Sequence, residues 1–77
     1  MTEETNKAIG KRIQALRLTE GYSTEKLAEL LEVPQSFLSS VEQSECEPPV
    51  KLLAGVSNIF GVSLDYLVFG DDEASEE

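Results

Sequence analysis

Residues 23–42 read STEKLAELLEVPQSFLSSVE, two short amphipathic segments divided at Glu32-Val33-Pro34. Ser23 is the N-cap candidate of the first segment, because its hydroxyl can accept from an orphan first-turn amide. Glu25 in that turn is favoured by the positive end of the helix dipole. Leu27, Ala28, Leu30 and Leu31 make one apolar side, and the small Ala28 lets another helix approach closely. Glu32-Val33 predicts a tight turn. Pro34 opens the next helix, where the missing amide donor does no harm. There Phe37, Leu38 and Val41 form a core face, leaving Gln35, Ser36, Ser39, Ser40 and Gln43 for the outside.

Upstream, Ile9, Ile13 and Leu16 recur at i, i+4 and i+7, the spacing of one helical face. Thr5 is the predicted N-cap of this helix and Gly21 its stop. Downstream, Ser44 to Pro49 reads as a loop ended by Pro48-Pro49. Val50, Leu52, Leu53, Val56, Ile59 and Phe60 make a fourth amphipathic helix closed by Gly61, and Ser63 caps a fifth carrying Leu64, Leu67 and Val68, which Gly70 ends. The prediction is an all-α bundle of five helices with short connections. Its limits are a flexible N-terminus at residues 1–5, a domain at 6–70, and a disordered acidic tail at 71–77 with no apolar residue larger than alanine.

Composition narrows the function. The chain has 77 residues, one small domain, with a net charge of −9. Five acids lie in residues 71–77 and two more are Glu3 and Glu4, which leaves eight acids against six bases for residues 5–70. The folded part is therefore close to neutral. Cys46 is the only cysteine and there is no histidine, which rules out an internal disulfide and a protein-only zinc site. No cofactor motif is present. No apolar run approaches a membrane span, and the polar, acidic start is unlike a signal peptide, so a cytoplasmic protein is expected. Without histidine, a Gly-rich phosphate loop or a nucleophile paired with a base, an enzyme is not expected either.

Taken in order, these residues resemble the xenobiotic-response-element family, which includes phage Cro and lambda-type repressors. The stretches that carry the likeness are Ile9-Gly10-Lys11-Arg12-Ile13 with Leu16-Arg17, Glu20-Gly21-Tyr22-Ser23, and Leu27-Ala28-Glu29-Leu30-Leu31 with Val33. Leu38-Ser39-Ser40-Val41-Glu42, Pro48 and Gly61-Val62-Ser63-Leu64-Asp65-Tyr66-Leu67 continue it without a gap to Gly70. The resemblance implies a compact five-helix lambda-repressor-like domain in which helices two and three form a helix-turn-helix. The third helix would lie in the major groove of double-stranded DNA. Carried over by position, Gln35, Ser36 and Ser40 are the base-reading candidates, with Ser39 nearer the buried side. Ser23 and Thr24 match phosphate-meeting positions, and Gln43 with the loop from Ser44 matches a further backbone-contacting region. Glutamine can pair with the N6 and N7 edge of adenine, and serine serves donor or acceptor edges.

The departures from the family pattern are specific. Residues 27–50 contain no Lys or Arg, where family members commonly carry cations at the positions of Gln35, Ser40, Gln43 and the loop. Each missing cation removes a released counterion and lowers non-specific affinity. Glu32 stands at the usual turn glycine, Pro34 at the usual Ser or Thr cap, and Ser44 where a glycine commonly ends the third helix. Glu42 is expected as a structural acid paired with Arg12 in an exposed ion pair contributing ~0.2–1 kcal/mol. Gly10 is expected to allow close helix packing. Cys46 reads as an incidental loop cysteine. Tyr66, Val68 and Phe69 either complete the core or form a homodimer contact, the dimer being favoured because helix-turn-helix proteins commonly bind two half-sites. Two functions result: a dimeric, repressor-type DNA-binding regulator, or an interaction module that modulates a basic DNA-binding protein partner.

Overall fold

In the computed structural model, which describes residues 2–70, the first helix, α1, spans Glu3–Glu20. Its N-cap is Thr2 rather than Thr5: the Thr2 hydroxyl accepts from the Thr5 amide at 3.0 Å. Glu3 and Glu4 occupy the first turn, where the dipole favours carboxylates. The N-terminal arm expected at residues 1–5 is therefore shorter: residues 3–5 belong to the helix. At the far end Gly21 is left-handed, with φ 80°, and its amide closes on Arg17 and Leu18 carbonyls.

Helices α2 (Thr24–Leu31), α3 (Gln35–Glu42), α4 (Val50–Phe60) and α5 (Leu64–Phe69) follow, and the described residues include no strand. The caps at Ser23 and Ser63 form as expected, each hydroxyl accepting from the amide three residues on. The acidic segment 71–77 and its expected disorder lie outside the described residues.

Five core stripes meet in one cluster: Ile9 and Ile13 from α1, Leu27 and Ala28 from α2, Leu38 and Val41 from α3, Leu52, Leu53 and Val56 from α4, and Leu67 from α5. Helix α1 packs on α3 and α5, α2 on α3 and α4, and α4 on α5. Tyr22 and Phe60 close one end with their ring centroids 5.8 Å apart. The frame thus holds α3 from two sides and leaves its third side to solvent.

Gly10 sets the α1–α3 distance. A Cβ there would lie 2.6 Å from the Val41 carbonyl oxygen and 2.8 Å from that of Glu42, both backbone atoms with little freedom to retreat. The expected close packing is therefore present, against the last turn of α3.

The expected Arg12–Glu42 pair does not form. Glu42 accepts from Arg17: Nε to Oε2 at 2.8 Å and Nη2 to Oε1 at 3.2 Å. Both side chains are nearly excluded from water, 10% and 5% exposed, so the pair is interior and not the surface bridge the sequence suggested. Arg17 Nη1 also donates to the Tyr22 carbonyl at 3.0 Å. Arg12 turns the other way and donates to the Leu67 carbonyl at 2.9 Å, meeting the negative end of α5.

Candidate nucleic-acid interface

Helix α3 is positioned by its buried side and described by its open one. Leu38, Val41 and Glu42 are buried, Phe37 half-buried, and Gln35 and Ser36 exposed at its first turn. Ser39 and Ser40 are half-buried. Pro34 caps α3 with extended backbone but no side-chain hydrogen bond, so the first-turn amides receive no side-chain acceptor. No acid stands in that turn either. The positive end of the α3 dipole therefore has neither a capping side chain nor a first-turn acid beside the exposed Gln35 and Ser36, a setting favourable to an anion.

The α2–α3 turn has the geometry of its missing glycine. Glu32 is left-handed at φ 62°, and the Val33 amide bonds to the Ala28 carbonyl at 3.0 Å. Holding a side chain in that region costs about 1 kcal/mol. Ser44 does the same after α3, at φ 65°, with the Glu45 amide closing on the Ser40 carbonyl at 2.8 Å. Both substitutions keep the turn and bear the strain.

The backbone-contact candidates fall into two groups, one before α2 and one after α3. Ser23 is exposed and Thr24 half-buried at the N-terminus of α2, with the Ser23 hydroxyl already engaged as a cap to the Lys26 amide at 3.0 Å. Gln43 is exposed, whereas the Ser44 hydroxyl points inward and donates to the Asn6 carbonyl of α1 at 3.5 Å. Pro48 is buried and the half-buried Cys46 packs against the core, while Glu45 and Glu47 are exposed.

The dimer candidates separate. Tyr66 and Val68 pack partly on the core, and Phe69 is 77% exposed, with Leu64 also open on the same short helix. No described helix is long and apolar enough to cross a membrane.

A pair of short helices joined by a left-handed turn, with the second presenting a polar face from a three-helix frame, is the architecture of a helix-turn-helix domain. The sequence profile described as helix-turn-helix matches residues 13–67. The chain belongs to the helix-turn-helix family of xenobiotic-response-element type, the group of Cro and lambda-like repressors.

Relatives include the SPbeta prophage-derived uncharacterized HTH-type transcriptional regulator YonR of Bacillus subtilis, 36% identical over 62 residues, covering 80% of this chain and 57% of that protein. The HTH-type transcriptional regulator ImmR of the same organism is 36% identical over 70 residues, covering 91% and 54%. The chain thus spans little more than half the length of these relatives. Among solved structures, the P22 c2 repressor in complex with synthetic operator 9T superposes with a TM-score of 0.76 at 33% identity, covering 82% of this chain and 96% of that one. The N-terminal DNA binding domain of SinR from Bacillus subtilis gives 0.74 at 37% identity, covering 87% and 96%.

Proposed function

We propose that this domain is a sequence-specific DNA-binding transcriptional regulator of repressor type that places α3 in the major groove and acts as a homodimer. The observation that carries the reading is the open first turn of α3: Gln35 and Ser36 are exposed beside a helix N-terminus with no side-chain cap and no acid. In this reading Gln35, Ser36 and Ser40 meet base edges, with Ser39 at the margin. Ser23, Thr24 and Gln43 meet phosphates, and Ser44 contributes by setting the loop. Family membership supports the reading, as does the likeness to a repressor solved with its operator. Phe69, with Tyr66 and Val68 behind it, is the proposed dimer contact.

Selection of bound sequences from random duplex DNA at low salt tests it. A palindromic consensus with half-sites about one helical turn apart is the expected result. Replacing Gln35 with Ala should weaken binding to that consensus by about 5- to 150-fold, the worth of one bidentate base contact. Replacing Gln35 and Ser40 together should abolish specific binding. No enrichment by a folded domain would overturn the proposal.

One observation favours a second reading, an interaction module for a basic DNA-binding protein: α3 and its following loop carry no cation, and Glu45 and Glu47 are exposed there. Glu45→Lys separates the two. A DNA reader binds duplex more tightly with lysine at that position, and a partner of a basic surface loses its partner.

A further inference from the structure

The geometry points to Lys7 of α1 as the cation that clamps a DNA phosphate at the C-terminal end of α3, in place of the Lys and Arg that α3 and its loop lack. The inference rests on the DNA-binding reading above and adds to it a residue from outside the helix-turn-helix.

The chain has six cations, and several are already committed. Arg17 is buried against Glu42, and Arg12 is bonded to the Leu67 carbonyl. Lys26 on α2 lies 3.9 Å from Glu29. Lys51 lines a different cleft, with Glu32, Val33 and Phe37 at the α2–α3 turn. Lys51 is likewise outside the ion pairs found among the described residues, but its cleft is not the one at the end of α3, which leaves Lys7 and Lys11, neither of them in those pairs. Both are exposed, one turn apart on α1.

Lys7 differs from Lys11 in what surrounds it. Lys7 shares a shallow, open cleft with Gln43 and Ser44, the residues that end α3, and with Glu3 and Glu4. Lys11 is absent from that cleft and borders only residues of α1 itself in the neighbouring one. The junction is held in place: Gly10 brings α1 within backbone contact of Val41 and Glu42, and the Ser44 hydroxyl reaches the Asn6 carbonyl, one residue from Lys7. A phosphate in the cleft would meet two donors that line it, the Lys7 ammonium and the neutral Gln43 amide, with the charge-assisted bond coming from Lys7. The Glu3 and Glu4 carboxylates in the same cleft oppose it, which makes them tuning groups for the same contact.

The position depends on the early start of α1. Lys7 lies ahead of residue 13, where the match to the family profile begins, on helix that Thr2 caps.

The test is a salt titration of binding to a fluorescein-labelled duplex carrying the selected sequence. Each phosphate contact contributes about −0.9 to the slope of log affinity against log salt, so K7Q should flatten the slope by about one unit and weaken binding about eight-fold at 0.1 M salt. K7R should restore both. K11Q should leave the slope within a fraction of a unit of the parent, and E3Q/E4Q should tighten binding. Equal flattening by K7Q and K11Q would show a general field and no local contact, and would overturn the assignment. An unchanged slope in K7Q, with folding verified by circular dichroism, would also overturn it. Failure of the parent chain to bind any duplex would instead remove the DNA-binding reading, and this contact with it.

Discussion

Replacing Glu42 with Ala should be the most damaging single change outside the apolar core. In the native fold the Glu42 carboxylate takes two charge-assisted hydrogen bonds from Arg17, at 2.8 and 3.2 Å, between side chains 10% and 5% exposed. Alanine leaves the guanidinium buried with only the Tyr22 carbonyl as partner. Removing one member of a buried pair costs about 3–5 kcal/mol, because the survivor stays desolvated and unpaired. A 77-residue domain has roughly 4–11 kcal/mol of stability in total. The variant should therefore sit at the edge of folding, with a thermal midpoint lowered by about 12 °C or more. Urea titration followed by far-ultraviolet circular dichroism measures the loss directly. The double variant Arg17→Met with Glu42→Leu should be more stable than Glu42→Ala, since no charge is then left buried. A loss below about 1 kcal/mol for Glu42→Ala is the behaviour of a solvent-exposed bridge and would refute the account of an interior lock between α1 and α3.

Gly10→Ala and Gly55→Ala should separate in sign. At Gly10 the new Cβ meets two backbone carbonyls at 2.6 and 2.8 Å, so the helices must part, at about 1–3 kcal/mol. At Gly55 it meets only the Leu31 Cδ2 at 2.8 Å, the far end of a side chain that can turn, so about 1 kcal/mol of helix propensity should appear as a gain. Thermal midpoints of the two variants decide this, and equal shifts would contradict it. Glu32→Gly should stabilise by about 1 kcal/mol by relieving the left-handed residue at φ 62°, read as a higher urea midpoint with unchanged slope. Deleting residues 71–77 removes five acids and no base. Duplex binding should tighten at low salt and converge with the full chain at high salt; a gain that persists at high salt would point to something other than long-range repulsion.

The order of the helices was legible because each boundary carries its own chemistry: Ser23 and Ser63 as caps, Gly21 and Gly61 as left-handed stops, Pro34 and Pro49 just ahead of helices. Two errors have local causes. Thr2 and Thr5 are both competent caps, and Glu3 and Glu4 read equally well as a solvated arm or as a first turn at the positive helix end. The expected partner of Glu42 was Arg12 and the observed one is Arg17; both arginines lie on α1, so residue type alone does not separate them. Helical spacing held the answer: Ile9, Ile13 and Arg17 follow at i, i+4 and i+8 along the core stripe, while Arg12 falls on the side facing α5. The packing of Cys46 against the core was not legible, because nothing in a loop sequence says which residue turns inward. The nearness of Lys7 to Gln43 was equally hidden, since it depends on how closely α1 approaches α3.

Why a DNA reader would carry a recognition helix without cations follows from what cations do. A phosphate contact strengthens specific and non-specific binding alike, because every duplex offers the same backbone. In the proposed reading, the absence of cations from α3 and its loop therefore lowers both affinities while leaving their ratio to the base contacts proposed for Gln35, Ser36 and Ser40. The acids at Glu45 and Glu47 act in the same direction. A single such domain has little affinity left, so in the proposed reading occupancy depends on joining two half-sites through the α5 contact. Phe69→Asp, which places a charge on the exposed aromatic ring position of that contact, should then weaken operator binding far more than binding to a single half-site. Equal losses on the two duplexes would mean that the domain reads DNA as a monomer and that Phe69 serves some other contact.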